Sequence, residues 1–592
     1  MNQPTVLHRL FDWSEETPNA PAQRYKRGGI AFELSACEYR DRVFHLAVFL
    51  ESRGFTASDT ACIFSYNSVE WAHFHLAVML LRMKSAGLYP NTTSKDCRYI
   101  LDHTECSAFA VQNKSYWDKA NVAGIPDKVR LVLVFEGEAN FSEKAVSYST
   151  ALEAGKRLAA GKSYREFLDP IRATDPGFIV YTSGTTGIPK GALVSHDNLV
   201  FVTDAMTSRW KLPFADGTLF SFLPLCHIAE QIHSIGVAIS CRYVVDYCSS
   251  FENVSKEIAE VAPTLLLCVP RVWEKMMEGV VHRLEKAGSI SRTLAKWALA
   301  VGAVNSRSTR AGKTLSASQK IRGAAAEKLI LAKIKKALGL YRTKIVASGA
   351  APLPRHVSEW FRSIGIEIYD TFGATEAGII CATAPGEDSD GTVGRALEGS
   401  QIRLAEDGEI CSKGRNVYLG YFKDEAQTRA AIVDGWYHTG DLGTLTDKGL
   451  LKIVGRKKEI MKTSGGKMIA PVPIEERLKE AAMISQVCLV GDNRKFISAL
   501  VTLSESILAE IRAENRATKD GLIVDSSIIA RVEREVARVN GTLAGFEQVK
   551  KFAVIDREFS ILDGEMTPTM KMKRRVIEEK FKSIVDGMYA AH

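Results

Sequence analysis

The stretch YTSGTTGIPKG, Tyr181 to Gly191, concentrates hydroxyls, glycines and a single lysine in eleven residues. Gly184, Gly187 and Gly191 let the backbone approach a ligand closely and turn with φ > 0. Ser183, Thr185 and Thr186 offer hydroxyl and backbone donors to phosphate oxygens, and Lys190 adds a flexible point charge. The apolar run Phe178–Thr182 (FIVYT) reads as a buried strand. The loop therefore leaves its C-terminal end, where open α/β sheets hold their ligands. A Walker A loop needs Gly-Lys-Ser/Thr at its end. Here Pro189 precedes Lys190 and Gly191 follows it, so the loop handles phosphate without being a P-loop.

The elements that must position this loop alternate along the chain. Short β-rich runs, Thr60–Ser65, Val129–Phe135, Phe178–Thr182 and Thr264–Val269, are separated by helical patterns. One of these, at Ser68 to Lys84, reads as an amphipathic helix. Such alternation predicts an α/β fold with largely parallel, buried strands. From about Gln401 the strands become short and turn-rich, predicting a small antiparallel sheet or barrel. A further α+β unit follows, so the expected domains are 1–455 and 456–592.

The chain has 592 residues, too many for one core, with 46% hydrophobic and 25% charged residues and a net charge of +8. That balance suits anionic substrates, and no finger, RNP or basic-zipper pattern points to nucleic acid. The eleven cysteines are scattered and form no C-x-x-C pair, the usage of reduced, buried thiols in a cytoplasmic protein. The strongest apolar run, near Ala72 to Leu81, is too short to span a bilayer, and the N-terminus lacks the pattern of a signal peptide. Gly279 to Lys336 is basic and alanine-rich. It reads either as a solvated helical face or as a surface that approaches acidic lipid, where each basic residue contributes ~1 kcal/mol.

YTSGTTGIPKG resembles the signature loop of the adenylate-forming superfamily, which holds acyl-CoA synthetases, peptide-synthetase adenylation domains and luciferases. Further blocks follow in that family's order. SFLPLCHIAEQ, VPRVWEKM, KTSGGKMIAP and TPTMK look most like its long-chain fatty acyl-CoA synthetase branch. The resemblance implies a large N-terminal part, with two α/β subdomains and a small β-barrel, and a mobile C-terminal lid. It implies ATP, Mg²⁺ and coenzyme A as cofactor and co-substrates and a fatty acid as the acyl substrate.

Site roles carry over residue by residue. Thr182, Ser183, Gly184, Thr185, Thr186, Gly187 and Lys190 would hold the ATP phosphates, with Thr182 also at the chemistry. His227 would sit beside the acyl carboxylate and swing aside for the thiol. Ala350, Ala351 and Pro352 would let adenine lie flat against backbone. In YDTFGATE, Asp370, Thr371, Gly373 and Ala374 line the nucleotide, and Phe372 offers an aromatic face where the family has Tyr. Thr375 would meet the α-phosphate. Glu376 would bind Mg²⁺, which is satisfied by one or two carboxylates plus phosphate oxygens.

Asp441 would accept from the ribose hydroxyls, and Arg456 would donate to ribose or α-phosphate. Lys458 falls at the hinge. Gly465 and Gly466 would serve the CoA step, where only bare backbone leaves room for pantetheine. Lys571, with Lys573 as competitor, would reach the carboxylate and α-phosphate. The family's glycine before this lysine is replaced by Met570.

The expected reaction joins a fatty acid to CoA through acyl-AMP. The alternatives are a fatty acyl-AMP ligase serving a carrier protein, a medium-chain or aryl acid ligase, and a scaffold that has lost catalysis. Lys571, Glu376 and Asp441 are all present, against the last. VPRVWEKM is read as a helix start with Trp273 and Met276 in the core.

Overall fold

The computed structural model describes residues 4–183, 188–387, 391–514, 517–567 and 571–590. Two large sheets form the body. The first has eight strands, running from Gly420–Tyr421 through Pro189–Ser195, Pro176–Ser183, Lys84–Leu88 and Thr60–Phe64 to Ala108–Val111, Leu131–Val134 and Ala145–Ser147. From Pro176–Ser183 to Ala145–Ser147 its pairs are parallel. The second has nine strands, with Ile345–Ser348, Leu265–Cys268, Thr218–Ser221 and Val244–Tyr247 parallel at its centre. Pro21–Arg27 joins this second sheet, beside Val244–Tyr247, although the next strand in sequence after the Pro21–Ser35 hairpin enters the first.

Both sheets turn an apolar face toward a shared helical layer. One buried cluster contains Ile63 and Val180 of the first sheet, Leu219, Val245 and Leu265 of the second, and helix residues between them. The helix Val69–Leu80 lies in this layer, capped by Ser68, whose side chain accepts from the Trp71 N–H. The amphipathic reading of this segment does not hold: every residue from Val69 to Leu80 is buried, Glu70, His73 and His75 included. A helix packed between two sheets has no solvent face, so its polar residues must find internal partners. His73 bridges Tyr148 Oη at 2.7 Å and Gln23 Oε1 at 2.7 Å, and His75 meets Ser85 Oγ at 2.9 Å. Its predicted last residue, Lys84, instead opens the next strand.

The turn-rich region forms a five-stranded antiparallel sheet from Ser400–Leu404, Glu409–Gly414, Trp436–Leu445, Ile432–Val433 and Leu451–Arg456. Beyond it, Ile484–Val490, Ile497–Leu503 and Val549–Ile555 lead a second five-stranded sheet with its own core of Val487, Val501, Val532 and Val554. The segment Gly279–Lys336 is helical, mainly as Ser289–Arg310, Ala317–Ala326 and Ala332–Ala337. All eleven cysteines are free, and only Cys37 and Cys248 are not fully buried. Among the described residues no helix is long and apolar enough to cross a membrane.

Candidate active site

The phosphate-type loop is the tip of a β-hairpin. Pro176–Ser183 leaves the parallel part of the first sheet and returns as the antiparallel strand Pro189–Ser195, with Thr182 opposite Lys190. Among the described residues the loop is followed by a strand, Pro189–Ser195, where a P-loop is followed by a helix. Gly184, Thr185, Thr186 and Gly187 lie outside the described residues, as does the side chain of Ser183. Gly191 is required by packing: a Cβ there would fall 2.8 Å from Ile179 Cγ2. Lys190 donates to Gln427 Oε1 and lies 5.4 Å from the centre of the Tyr421 ring.

Glu376 sits in the turn between Ile368–Ala374 and Gly378–Ala382, a hairpin of the second sheet. Its Oε1 accepts from Tyr421 Oη at 2.8 Å, and its backbone oxygen accepts from Tyr418 N at 2.8 Å. Thr371 Oγ1 donates to Ser348 O at 3.0 Å and fills the space where Gly349 would carry a Cβ. Ala350 holds φ +71°, a left-handed conformation that costs a non-glycine residue ~1–2 kcal/mol. Such strain concentrates where a loop is shaped for a ligand. Ala351 and Pro352 beside it are exposed.

Asp370 receives its N–H bond from within the sheet, donating to Thr383 Oγ1 at 2.8 Å. Phe372 is only 9% exposed, packed with Ala192, Tyr418 and Tyr437. Little of its face is therefore open to a base. Gly373 allows the hairpin to close, since a Cβ there would meet Gly378 O at 2.1 Å. Ala374 is half-buried, and Thr375 lines a narrow cavity with Ile228, Ile232 and Tyr418.

Asp441 and Arg456 are opposed across the small sheet, with Arg456 Nε donating to Asp441 Oδ1 at 2.9 Å. Burial raises the Asp441 pKa, against the pull of Arg456 and Lys571. Burial also lowers Arg456, more than offset by Asp441 and Glu459. Lys571 is exposed at its own surface, and the charges of Arg456 and Asp441 act on it. Its surroundings press its pKa below the ordinary lysine value: desolvation by the groups around it is the first cause and the Arg456 charge the second, opposed by Asp441, Glu459 and Glu376. Its backbone is tied to Thr567, N–H to Oγ1 at 2.9 Å and carbonyl from Thr567 N at 2.7 Å. The residues between, Pro568 to Met570, lie outside the described set. Lys573 stands at the N-cap position of the helix Arg574–Lys580 without a side-chain capping bond, and its backbone N–H donates to Glu565 O at 2.7 Å.

His227 caps the short helix Ile228–Glu230, its Nδ1 accepting from Ala229 N at 3.2 Å. Burial, and then the charge of Lys571, lower its pKa to about 4, so it is neutral at physiological pH. Lys571 thus acts electrostatically on His227, Asp441 and Arg456, and the charge of Glu376 reaches both Lys571 and Asp441.

Two predicted groups stand apart. Lys458 lies in the 3-10 turn Lys457–Glu459, where Lys457 pairs with Asp407 and with Glu409 at 3.2 Å. Gly465 and Gly466 occupy an exposed turn between Met461–Lys462 and Met468–Ile469, with Gly466 at φ +77°.

Sequence reasoning missed Tyr421, Tyr418 and Gln427, although NVYLGYF carries two tyrosines just before the small sheet's helix. It also missed the role of VPRVWEKM. Trp273 and Met276 are core residues as expected. Arg271 of the same block pairs with Glu274 at 3.0 Å and with Glu558 of the C-terminal unit, and Lys479 reaches Glu274 at 3.4 Å.

The family profile of AMP-binding enzymes matches residues 10–422, and that of the AMP-binding enzyme C-terminal domain matches 458–592. The long-chain-fatty-acid–CoA ligase FadD15 of Mycobacterium tuberculosis is 31% identical over 99% of this chain and 97% of its own. The long-chain-fatty-acid–CoA ligase ACSBG2 of Mus musculus is 30% identical over 99% and 93%. Among solved structures, the adenylation domain of a carboxylate reductase from Mycobacterium chelonae superposes with TM-score 0.78 at 19% identity, covering 99% of this chain and 91% of that one. ATP-bound MatB from Rhodopseudomonas palustris does so with TM-score 0.70 at 22% identity, covering 99% and 100%. The chain belongs to the AMP-binding, adenylate-forming enzyme family, and within it to the long-chain fatty acyl-CoA ligase group.

Proposed function

We propose that this chain activates a long-chain fatty acid with ATP and passes the acyl group to coenzyme A. The observation that carries the reading is the Arg456–Asp441 pair, bonded at 2.9 Å, with Lys571 and Glu376 within electrostatic reach of it and His227 within reach of Lys571, groups drawn from four separate parts of the chain. In the first step a carboxylate oxygen bonds to the α-phosphorus of ATP and the bond to pyrophosphate breaks, leaving acyl-AMP. Two anions must meet, so fixed positive charge at the α-phosphate lowers the barrier. Lys571 and Arg456 supply it, and Asp441 orients the ribose. In the second step the CoA sulfur bonds to the acyl carbon, the acyl–oxygen bond breaks and AMP leaves, while the thiol proton passes to solvent.

Glu376 fits a Mg²⁺ ligand. Tyr421 donates to one carboxylate oxygen, which leaves the other for a metal that takes most of its ligands from phosphate and water, no bond to it being seen among the described residues. When bound, Mg²⁺ neutralises phosphate charge. Neutral His227 accepts a hydrogen bond or yields its place without carrying charge into the site.

The division into an adenylation part, 1–455, and a lid, 456–592, would let Lys571 act beside Asp441 and Arg456 while Gly465 and Gly466 stand away from them in an exposed turn. Rotation about Lys458 would exchange them. Lys458→Pro should retain acyl-AMP formation and lose thioester formation, and equal loss of both would remove the hinge reading.

The protein would act in the cytoplasm, in peripheral contact with acidic membrane. Arg283 to Lys336 holds 13 Lys and Arg against 2 Glu, so the rest of this +8 chain is net negative. Ile290 and Ile321 in that segment are 83% and 71% exposed. Co-sedimentation with phosphatidylglycerol but not phosphatidylcholine vesicles tests this contact.

The deciding experiment incubates the protein with Mg-ATP, CoA and acids of several lengths, with products read by mass spectrometry. AMP and acyl-CoA are expected. Persistent acyl-AMP would favour a carrier-protein acceptor, and ADP would refute the chemistry.

A further inference from the structure

His227 stands at the end of a loop, Leu223 to Cys226, that follows the Thr218–Ser221 strand of the second sheet. Two of the bonds holding that loop come from a residue that follows a strand of the first sheet. Asn67 follows the Thr60–Phe64 strand and clamps the loop twice: its Nδ2 donates to Leu223 O at 2.6 Å and its Oδ1 accepts from Leu225 N at 2.9 Å. The same Nδ2 donates to Ser221 Oγ at 3.0 Å. Ser221 in turn donates to Glu230 Oε1 at 2.7 Å, which also accepts from Ser234 Oγ at 2.5 Å. Gln231 Nε2 closes the ring on Leu225 O at 2.6 Å, and His227 N donates to Pro224 O at 2.8 Å.

Gly87, on the neighbouring strand of the first sheet, permits the approach: a Cβ there would lie 2.5 Å from Cys226 Cβ. Glu230 is buried, and burial raises its pKa to about 7 against the two serine donors. The chain continues from Glu230 into a π-helical turn, Gln231–Val237, a distortion that recurs at functional sites.

We propose that Asn67 is a positioning residue for His227, fixing the 223–227 loop of the second sheet from the first. The inference rests on the reading of His227 as the acyl-carboxylate contact. Every polar backbone atom of Leu223 to Leu225 that Asn67 holds would otherwise face a half-buried site unpaired, so the loop has one low-energy setting while Asn67 is present. Misplacing a contact group by ~1 Å costs up to ~10²-fold in rate.

The test is a double-mutant cycle on Asn67→Ala and His227→Ala in the full chain. Pyrophosphate release reports adenylation, acyl-CoA formation reports the overall reaction, and kcat and KM are separated. Asn67→Ala is expected to lower kcat ~10-fold in the native background and less than ~2-fold in the His227→Ala background, with KM for ATP unchanged. Asn67→Asp keeps the acceptor for Leu225 N and loses both donations, so it should fall between. It carries the same cycle if the alanine variant does not fold. Equal losses in both backgrounds would overturn the proposal and leave His227 its role. Full activity of His227→Ala in both assays would remove that role and the proposal together.

Discussion

Tyr421 Oη donates to Glu376 Oε1 at 2.8 Å, and the same tyrosine ring lies under the Lys190 ammonium, 5.4 Å from its centre. One side chain therefore orders both the carboxylate read as the metal ligand and the lysine of the phosphate hairpin. Tyr421 can do so because its short strand, Gly420–Tyr421, pairs with Pro189–Ser195 at the edge of the first sheet. Glu376 meanwhile stands on a hairpin of the second.

Tyr421→Phe keeps the ring and removes the hydrogen bond to an anion, which contributes ~1.5–3 kcal/mol. The expected result is a rise of ~10-fold in KM for Mg-ATP, with little change for the fatty acid. Steady-state titration of each substrate checks it.

Lys571→Ala should lower adenylation by ~10² to 10³-fold, the scale of losing one positioned electrostatic donor, ~2.7–4 kcal/mol. Lys573→Ala should leave adenylation within ~3-fold, since Lys573 holds its N-cap position through the backbone, with no side-chain capping bond, and alanine keeps that backbone. Pyrophosphate release from purified variants decides between them.

The lowered pKa of Lys571 gives a signed pH dependence. A lysine is cationic below its pKa. Adenylation that needs the ammonium should therefore fall as pH rises, at a pH below the ordinary lysine value of ~10.4. Lys571→Arg, always charged, should remove that alkaline limb even if its rate is lower.

His227 titrates at about 4, so it should stay neutral from about pH 5 to about pH 8. An NMR titration of labelled histidine, assigned with His227→Ala, should show no protonation step for it in that range. A step near pH 6.5 would place it in a solvated setting instead.

Arg271 pairs across to Glu558, with Ser485 Oγ donating to the same Glu558 oxygen at 2.5 Å. Burial lowers the Arg271 pKa, but Glu558, Glu274 and Glu278 more than compensate, so it remains charged. The pair ties the C-terminal unit to the helix Pro270–Lys286 in the arrangement where Lys571 is within electrostatic reach of Asp441 and Arg456. Arg271→Ala should slow adenylation ~10-fold, or ~1.4 kcal/mol of conformer preference, without slowing thioester formation from supplied acyl-AMP. Single-turnover assays of each half-reaction measure both.

The groups proposed for the site were named from the residues because their chemical capacity is local. A phosphate hairpin, a carboxylate in YDTFGATE, an aspartate in DGWYHTGDLG and a lysine in TPTMK each declare their capacity by residue type and short spacing. The small antiparallel sheet was legible for the same reason, since turn chemistry acts within a few residues. The helix Val69–Leu80 was misread because its histidines and glutamate look solvent-facing in one dimension. Only the presence of a sheet on each side buries them.

The amino-acid sequence by itself determined the alternating strands and helices, the family resemblance, and the set of groups able to meet ATP and a carboxylate. Tertiary structure alone decided which of them meet. Asn67 and Leu225 are 158 residues apart, and Arg271 and Glu558 are 287 apart. Pro21–Arg27 pairs with Val244–Tyr247 rather than with a strand near it in sequence. Such pairings follow from burying two sheets on one helical layer. That free energy belongs to the whole assembly of surfaces and leaves no mark on any short segment.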